Sequence, residues 1–436
     1  MRTRREINSA EWFGEVPDGW NMVPLPRLFM SSKGMTVTRA DLVDEGAPVV
    51  NYAQVHSKLN NRFGIHEELI KHVPTGMVPK GLKYSEKGSF IFACTSEDLA
   101  GCGDCIYNDS ERPVNPGGDT LLLSPVDEVE NKYLAYLFST DMWRWQIRRD
   151  LIDVKVFHVN QGNLHETYVT VPPCDVQRRI VSYLDERCAA IDDDVKKRQK
   201  VIERLKEYKK SLIAHAATKG LDPTAEMKDS DIKWVDQIPS NWQTSKLKAL
   251  FQITKRIAGV EGLTVLSITQ DGIRPKDFST GKGQFAETYS HYQLVHPGDF
   301  AMNHMDLLTG WVDISRYEGV TSPDYRVFSA RDLAVSNPSY YLYLFQMCYL
   351  NRVFFGSANG VADKGRMRLQ TNAFNNFVVP LPPLEEQKRI AAYLDERCVA
   401  IDEAISRQEQ LIEKLGEYRK SVIHHAVTGK IDCTEA

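Results

Sequence analysis

A stretch of 51 residues occurs twice in this chain. Residues 172–222 read PPCDVQRRIVSYLDERCAAIDDDVKKRQKVIERLKEYKKSLIAHAATKGLD, and residues 382–432 read PPLEEQKRIAAYLDERCVAIDEAISRQEQLIEKLGEYRKSVIHHAVTGKID, a constant shift of 210 with 26 identities and no gaps. Unrelated segments match at about one position in fifteen to twenty, so the chain is a tandem duplication. A second marker precedes each globular part. Trp12-Phe-Gly-Glu-Val-Pro17-Asp-Gly-Trp20 matches Trp234-Val-Asp-Gln-Ile-Pro239-Ser-Asn-Trp242, followed by Leu25 and Phe29 against Leu247 and Phe251, a shift of 222. Weaker echoes pair Gly88-Ser-Phe90 with Gly298-Asp-Phe300, and Asn131 to Phe138 with Pro338 to Phe345. The order is globular, helical, globular, helical: 1–171, 172–221, 222–380 and 381–436.

The helical segments open with Pro-Pro and early carboxylates (Asp175; Glu385, Glu386), which suit a helix N-terminus. Apolar residues then recur at spacings of three and four, among them Val201, Tyr208, Leu411 and Tyr418. Because 210 is a multiple of seven, both copies share one heptad phase, and the seam is predicted at Ile191, Val195, Ile202, Leu205 and Leu212, and at Ile401, Ile405, Ile412, Leu415 and Val422. Gly220 and Gly429 mark the stops. Residues 191–217 would span roughly 40 Å as a helix. The stretch near Asp185-Glu-Arg leaves open a separate short helix. Each stripe leaves an apolar face uncovered, and pairing the two helices covers both. Since residues 222–380 begin where one helix ends and feed the other at its start, an antiparallel pair with an approximate two-fold axis is expected. The globular parts carry short β-rich runs bounded by Gly and Pro (48–52, 89–94, 264–268, 299–302, 326–328), helical stretches near 130–148 and 338–354, and strand-like endings at 168–171 and 377–379. The expected fold class is α+β: one domain built twice, separated by an antiparallel coiled coil of the two repeated helices, with pseudo-two-fold symmetry.

A chain of 436 residues with 42% hydrophobic and 26% charged residues fits a soluble globular protein of two to three domains. No apolar run approaches the roughly 18–20 residues of a membrane span, so no membrane partner is expected. The basic N-terminus MRTRREINSAEWF lacks the apolar core of a secretory signal. The scattered cysteines show no disulfide framework, with Cys188 and Cys398 read as core residues, so a cytoplasmic location is expected. The net charge of −4 is spread without a strongly basic segment, so any nucleic-acid footprint has to be local or belong to a partner.

Residues 379–390 (VPLPPLEEQKRI), Tyr393-Leu-Asp-Glu-Arg, Ile401-Asp and Leu415-Gly-Glu-Tyr-Arg-Lys-Ser-Val-Ile resemble the helical region of type I restriction–modification specificity subunits, as do Thr218-Lys-Gly-Leu-Asp-Pro and Ile238-Pro-Ser-Asn-Trp242. The resemblance covers the whole chain in the order target-recognition domain, helix, target-recognition domain, helix. It implies a non-catalytic chain whose two recognition domains each read one half of a split double-stranded DNA site. The coiled coil would act as ruler and dock two methyltransferase (M) subunits, with restriction (R) subunits joining them. The chain itself would bind no cofactor; S-adenosylmethionine, ATP and Mg would serve the partners. The helix length agrees with this, because roughly 40 Å is about one turn of B-DNA.

Arg and Lys suit guanine, and Asn and Gln suit adenine. The candidate DNA contacts are therefore Lys33, Arg39, Asn51, Tyr52, Gln54, His56, Lys155, His158 and Asn160 in the first domain, and Lys255, Arg256, Gln270, Arg274, Lys276, Asn303, His304, Lys364, Arg366 and Arg368 in the second. The basic run Lys364-Gly-Arg-Met-Arg368 is the densest. Other motifs have plainer readings. Asn337-Pro-Ser-Tyr340 is similar to an adenine methyltransferase motif, but no Gly-rich cofactor loop accompanies it and a helix cap explains it. Cys102-Gly-Asp-Cys105 has zinc-ligand spacing without a second pair. Glu203-Arg-Leu-Lys206 and Glu207-Tyr-Lys209 fit a charged helix, and His424-His425 fit a helix end. A self-contained methyltransferase or nuclease would need cofactor or metal motifs that this reading does not find, and a scaffold without DNA binding would bind no DNA in a salt-dependent way.

Overall fold

The repeated segments fold as two long helices, Cys174–Lys219 of 46 residues and Leu384–Val427 of 44 residues. The Asp185-Glu-Arg stretch continues the first helix without a break. Neither helix interior contains proline, and Gly416 in the second lies where an added Cβ would meet nothing. Both helices end on a glycine in the left-handed region, Gly220 (φ +78°) and Gly429 (φ +68°), the conformation that closes a helix at least cost without a side chain. Along the predicted seam Ile191, Ile202, Ile401, Ile405 and Val422 are buried, while Val195, Leu205, Leu212, Ile412 and Leu415 are half-buried. The further apolar positions Val201, Tyr208, Leu411 and Tyr418 are exposed. The predicted seam takes only two positions per heptad, and these four fall outside it.

The computed structural model describes residues 13, 16–149, 151, 156–278, 287–357 and 367–433. The chain divides into two compact units, Met1–Lys197 with Gln410–Ala436, and Arg198–Glu409. The first unit is built on a four-stranded antiparallel sheet in the spatial order Phe29–Lys33, Thr120–Pro125, Phe90–Ala93, Cys105–Tyr107. Its central strand Phe90–Ala93 is buried along its whole length. Phe90 and Phe92 face a core that includes Phe29, Phe138 and Trp143, whereas Ile91 and Ala93 face a second core with Val50, Val55 and Val114. This two-residue alternation is what a strand covered on both faces requires. Helices Asn131–Phe138 and Asp141–Arg148 supply the Phe138 and Trp143 rings, whose centroids lie 4.3 Å apart. Cys102 and Cys105 are buried in the first core, where burial pushes the Cys105 thiol up to about 12. A short antiparallel pair, Asn21–Pro24 with Tyr168–Val171, leads into the first long helix.

The second unit repeats this plan. Its four-stranded sheet runs Phe251–Ile253, Arg326–Ala330, Phe300–Met302, Val312–Ile314, and its leading pair is Gln243–Lys246 with Val378–Leu381. The registers coincide. Phe29 pairs with Pro125 as Phe251 pairs with Ala330, and Phe90 pairs with Leu123 as Phe300 pairs with Phe328. One helix, Pro338–Leu350, stands where the first unit has two. Asn337 caps it by accepting from the Tyr340 N–H at 3.0 Å, with Pro338 in the first turn.

Each globular part grips a helix start and a helix end in the same way. Buried Gln177 accepts from the Glu130 N–H at 2.9 Å and donates to the Pro172 carbonyl at 2.7 Å; Gln387 accepts from the Asn337 N–H at 2.7 Å and donates to the Pro382 carbonyl at 2.9 Å. Tyr136 donates to Asp185 and Tyr343 to Asp395, both at 2.7 Å, beside the buried Cys188 and Cys398. The helix ends are held crosswise. Tyr133 of the first unit donates to the Val427 carbonyl, and Tyr340 of the second donates to the Ala217 carbonyl. The Trp-Pro-Trp markers explain themselves here, because Pro17 and Trp20 pack at Gly429 while Pro239 and Trp242 pack at Gly220. Trp12, Gly14 and Glu15 of the first marker lie outside the described residues.

A candidate nucleic-acid interface

In the first unit one end of the central sheet opens into a cleft of about 540 Å³. Lys33 at the end of its strand, Cys94 and Thr95 after the central strand, the Gly118–Thr120 turn, and His158, Asn160 and Gln161 line it. Three of the expected contacts, Lys33, His158 and Asn160, therefore share one wall system. The backbone there is tightly specified. The Gly34 N–H donates to the Thr120 carbonyl at 2.9 Å, and a Cβ on Gly34 would lie 2.2 Å from the Gly117 carbonyl oxygen. Asn51 is buried and accepts from the Gly118 N–H at 3.1 Å, so it braces the cleft wall from behind. Asp119 holds a left-handed φ of 53°, uncommon for a residue other than glycine. The Val159 N–H donates to the Cys94 carbonyl at 2.7 Å, and Asn160 caps the helix Gln161–His165 by accepting from the Asn163 N–H at 3.1 Å.

The second unit has a recess of about 750 Å³ lined by Arg274, Lys276, Asn303, Met305, Asp324 and Tyr325 among others. The shared strand registers bring Thr95 level with Met305, Asp119 with Asp324, and Thr120 with Tyr325, so the two openings occupy the same end of the repeated sheet. The shift of 222 brings Lys33 level with Lys255. The shift of 210 brings His158 level with Arg368 and Asn160 with Gln370, and the backbone bears this out: the Leu369 N–H donates to the His304 carbonyl at 3.0 Å, as Val159 does to Cys94. Gln370 stands at the N-cap of Thr371–Asn376 as Asn160 does in the first unit.

The remaining candidates fall into two groups. Arg39, Tyr52, Lys255, Gln270, Arg274 and Arg368 are exposed, and Lys276 is half-buried. Others are engaged within their own unit. Gln54 accepts from the Asn51 N–H at 3.1 Å. His56 faces Asp104 at 3.1 Å through Nδ1 and the Thr95 carbonyl at 2.8 Å through Nε2. The Asp104 hydrogen bond is the chief reason its pKa is raised, burial opposing it and the Thr95 carbonyl adding to it. Asp104 also binds Arg62 at 2.9 Å and the buried Arg144; burial works to raise its pKa, but His56, Arg144 and Arg62 hold it below the ordinary value. Arg256 pairs with Asp299. His304 is pushed down to about 3, by burial first and then by Arg326, so its imidazole is neutral at physiological pH. Lys155, Lys364 and Arg366 lie outside the described residues.

Thr95, Gln161, Arg326 and Gln370 at this end were not singled out from the sequence. Residues 157–171 and 367–381 align at the shift of 210, yet they share a single identical residue, Val169 with Val379, too little to extend the repeat by letters alone. Among the described residues no group of three or more His, Cys, Asp or Glu is placed to hold a metal ion, and no helix is long and apolar enough to cross a membrane. Paired openings on a repeated scaffold, lined by amides and cations and, in the second unit, also by Asp271, Asp277, Asp306 and Asp324, present polar chemistry suited to recognition.

The class so defined has a match. The family described as the type I restriction modification DNA specificity domain covers residues 17–204 and 239–414, each match taking in one globular part and most of the long helix after it. The chain belongs to that family, whose class is the specificity subunit of a type I restriction–modification system. It is 25% identical over 340 residues to the putative type I restriction enzyme MjaX specificity subunit of Methanocaldococcus jannaschii, covering 75% of this chain and 74% of that one. It is 20% identical over 307 residues to the type I restriction enzyme EcoBI specificity subunit of Escherichia coli, covering 65% and 63%. Its fold is similar to a chain solved in work on the complex assembly and conformational transition of the type I R-M system, with a TM-score of 0.69 at 16% identity over 96% of this chain and 100% of that one. The HsdS subunit from Thermoanaerobacter tengcongensis gives a TM-score of 0.51 at 16% identity over 96% and 98%.

Proposed function

We propose that this chain selects the DNA site for a type I restriction–modification complex, each globular domain reading one half of a bipartite, asymmetric double-stranded site. The observation that carries this reading is the pair of equivalent openings lined by unlike side chains: Lys33, His158 and Asn160 at one, Arg274, Lys276 and Asn303 at the other, on sheets of identical strand order. Equal scaffolds with unequal linings suit two half-sites of different sequence.

The long helices, on the same reading, pair in opposite directions as a coiled coil that sets the spacer and docks two methyltransferase subunits. Support comes from contacts inside each unit. In the second unit Arg198 bonds Gln408 at 3.0 Å and Lys209 bonds Asp402 at 2.7 Å, so one number falls as the other rises. In the first unit Arg419 bonds Asp192 at 2.6 Å. The crosswise capping by Tyr133 and Tyr340 is what an approximate two-fold relation between the repeats would produce. Adenine methylation with S-adenosylmethionine, and cleavage with ATP and Mg by restriction subunits, are then the partners' chemistry, carried out in the cytoplasm.

Inserting one heptad at matched seam positions of both helices tests the ruler. Seven residues add about 10 Å, so the spacer of the methylated site should lengthen by about three base pairs. An unchanged site would count against it. Exchanging residues 1–170 for those of another family member should alter one half-site only; a change in both would refute the division of labour.

A further inference from the structure

We propose that Arg368 is a specificity-determining residue that reads a guanine in the half-site of the second domain, while Lys255, like Lys33 in the first domain, grips the phosphate backbone without regard to sequence. The inference rests on the reading of the chain as a DNA specificity subunit and divides the work within it.

Lys33 ends its strand and Lys255 lies two residues past the end of the equivalent strand Phe251–Ile253; both are exposed, and the residue is the same in both copies. A group common to two domains that read different sequences cannot carry the difference between them; a flexible ammonium at a fixed place suits a phosphate. The next basic position at that end does differ, His158 in one copy and Arg368 in the other. His158 lines the first cleft together with Lys33.

Arg368 has the anchoring that base reading requires. Its neighbour Leu369 is fully buried, donates its N–H to the His304 carbonyl at 3.0 Å, and accepts at its own carbonyl from the Arg326 guanidinium at 2.9 Å. Arg326 is itself buried, lies over the Phe374 ring at 4.6 Å, and makes no ion pair with a described carboxylate. The first copy has Leu121 at the Arg326 position, so this clamp belongs to the second domain alone. Residue 368 thus leaves a pinned backbone with its side chain exposed, and makes no ion pair with a described acid. The charge of Arg326 behind it favours an outward guanidinium. A planar fork with two parallel donors matches O6 and N7 of guanine in the major groove, which a lysine cannot match in the same way.

The test uses the full chain assembled with its modification subunits, and reads both the methylated sites in a host genome and the binding of oligonucleotides varied at each position. Arg368→Gln should relax one base pair in the second half-site, with discrimination falling about ten- to hundredfold and the first half-site unchanged. Arg368→Lys, which retains the charge, should show the same relaxation. Lys255→Gln should weaken binding to all sequences alike and lower the salt slope by about one, with the consensus intact. The assignment is overturned if Arg368→Gln weakens every sequence equally, if Arg368→Lys restores full discrimination, or if Lys255→Gln relaxes a base. It falls together with the parent reading if the unaltered complex methylates without sequence preference. It fails alone if that complex is selective and exchange of the second domain changes one half-site, yet both Arg368 variants keep the parental consensus.

Discussion

The Tyr340 hydroxyl donates to the main-chain carbonyl of Ala217 at 2.8 Å, across 123 residues of chain. Ala217 lies in the last turn of a helix that ends at Lys219, so its carbonyl is one of the four that a helix terminus leaves without an internal partner. The tyrosine ring is fully buried, and the bond joins the second globular part to the end of the helix before it. In the first unit Tyr133 meets Val427 in the same way at 3.3 Å, and also shares a 3.1 Å bond with Thr170.

Tyr340→Phe keeps the ring and removes the hydroxyl, so the buried Ala217 carbonyl loses the side-chain partner it has among the described residues. Leaving a buried acceptor unmade costs about 1–3 kcal/mol. Tyr133→Phe should cost less, because its bond to the helix end is longer. Urea unfolding of the two variants should show the larger drop for Tyr340→Phe; equal or reversed losses would remove the capping role from this pair.

The two helix-closing glycines should also differ. Both have a left-handed φ, which costs another residue about 1–2 kcal/mol. A methyl on Gly429 would in addition lie 2.4 Å from the rigid Pro17 Cγ and 3.1 Å from Trp20 Cζ2, whereas on Gly220 the nearest atom is the movable Glu386 Oε1 at 3.1 Å, with the Trp242 ring 3.3 Å and Pro239 3.7 Å away. Gly429→Ala is therefore expected to lower Tm more than Gly220→Ala. Thermal unfolding that ranks them the other way would contradict the packing at the Trp-Pro-Trp marker.

Much of this architecture was legible in the sequence, and the limit has a physical cause. The helices and their stops follow from spacing, and Ile191, Ile202, Ile401, Ile405 and Val422 are buried because apolar residues on one helix face must recur at a fixed angle. Val201 and Tyr208 mislead because a heptad pattern records hydrophobicity, not which apolar flank meets a partner. The cleft was only half visible. Lys33, His158 and Asn160 could be named from residue type, but Asn51 and His56 look the same on paper and instead brace the fold. Arg326 was missed because a charged residue in a strand reads as surface, whereas here it is buried against Phe374. The equivalence of His158 and Arg368 lies in strand register and main-chain bonds, where side chains are free to diverge.

His56 makes the stability of the first unit depend on pH. Its imidazolium is held by Asp104 above all, burial opposes this, and the Thr95 carbonyl and Asp98 add to it, so its folded pKa is raised. Arg62 and Arg144 bind the same Asp104 carboxylate. A raised folded value means that the stabilisation is complete below the unfolded pKa of about 6.5 and is lost as pH rises through the folded value. Tm measured from pH 6 to pH 9 should fall across that window, and His56→Gln should flatten the fall. A parallel fall in both proteins would place the sensitivity elsewhere.

Ile202 and Val201 are neighbours in the first long helix and should respond in opposite ways to charge. Ile202 is buried at a predicted seam position at 8% exposure, as is Ile405 of the other helix, whereas Val201 is 42% exposed. An aspartate at position 202 would have to stay ionised in an apolar seam or take up a proton, and either outcome costs folding free energy. Ile202→Asp should therefore lose more than about 3 kcal/mol, in the range of disrupted core positions, and Val201→Asp should stay within about 0.5 kcal/mol as surface changes do. Ile405→Asp should resemble Ile202→Asp. Urea unfolding of the three variants decides the point: a tolerant Ile202 with a sensitive Val201 would turn the helix face around and remove the physical basis for a spacer built on this seam.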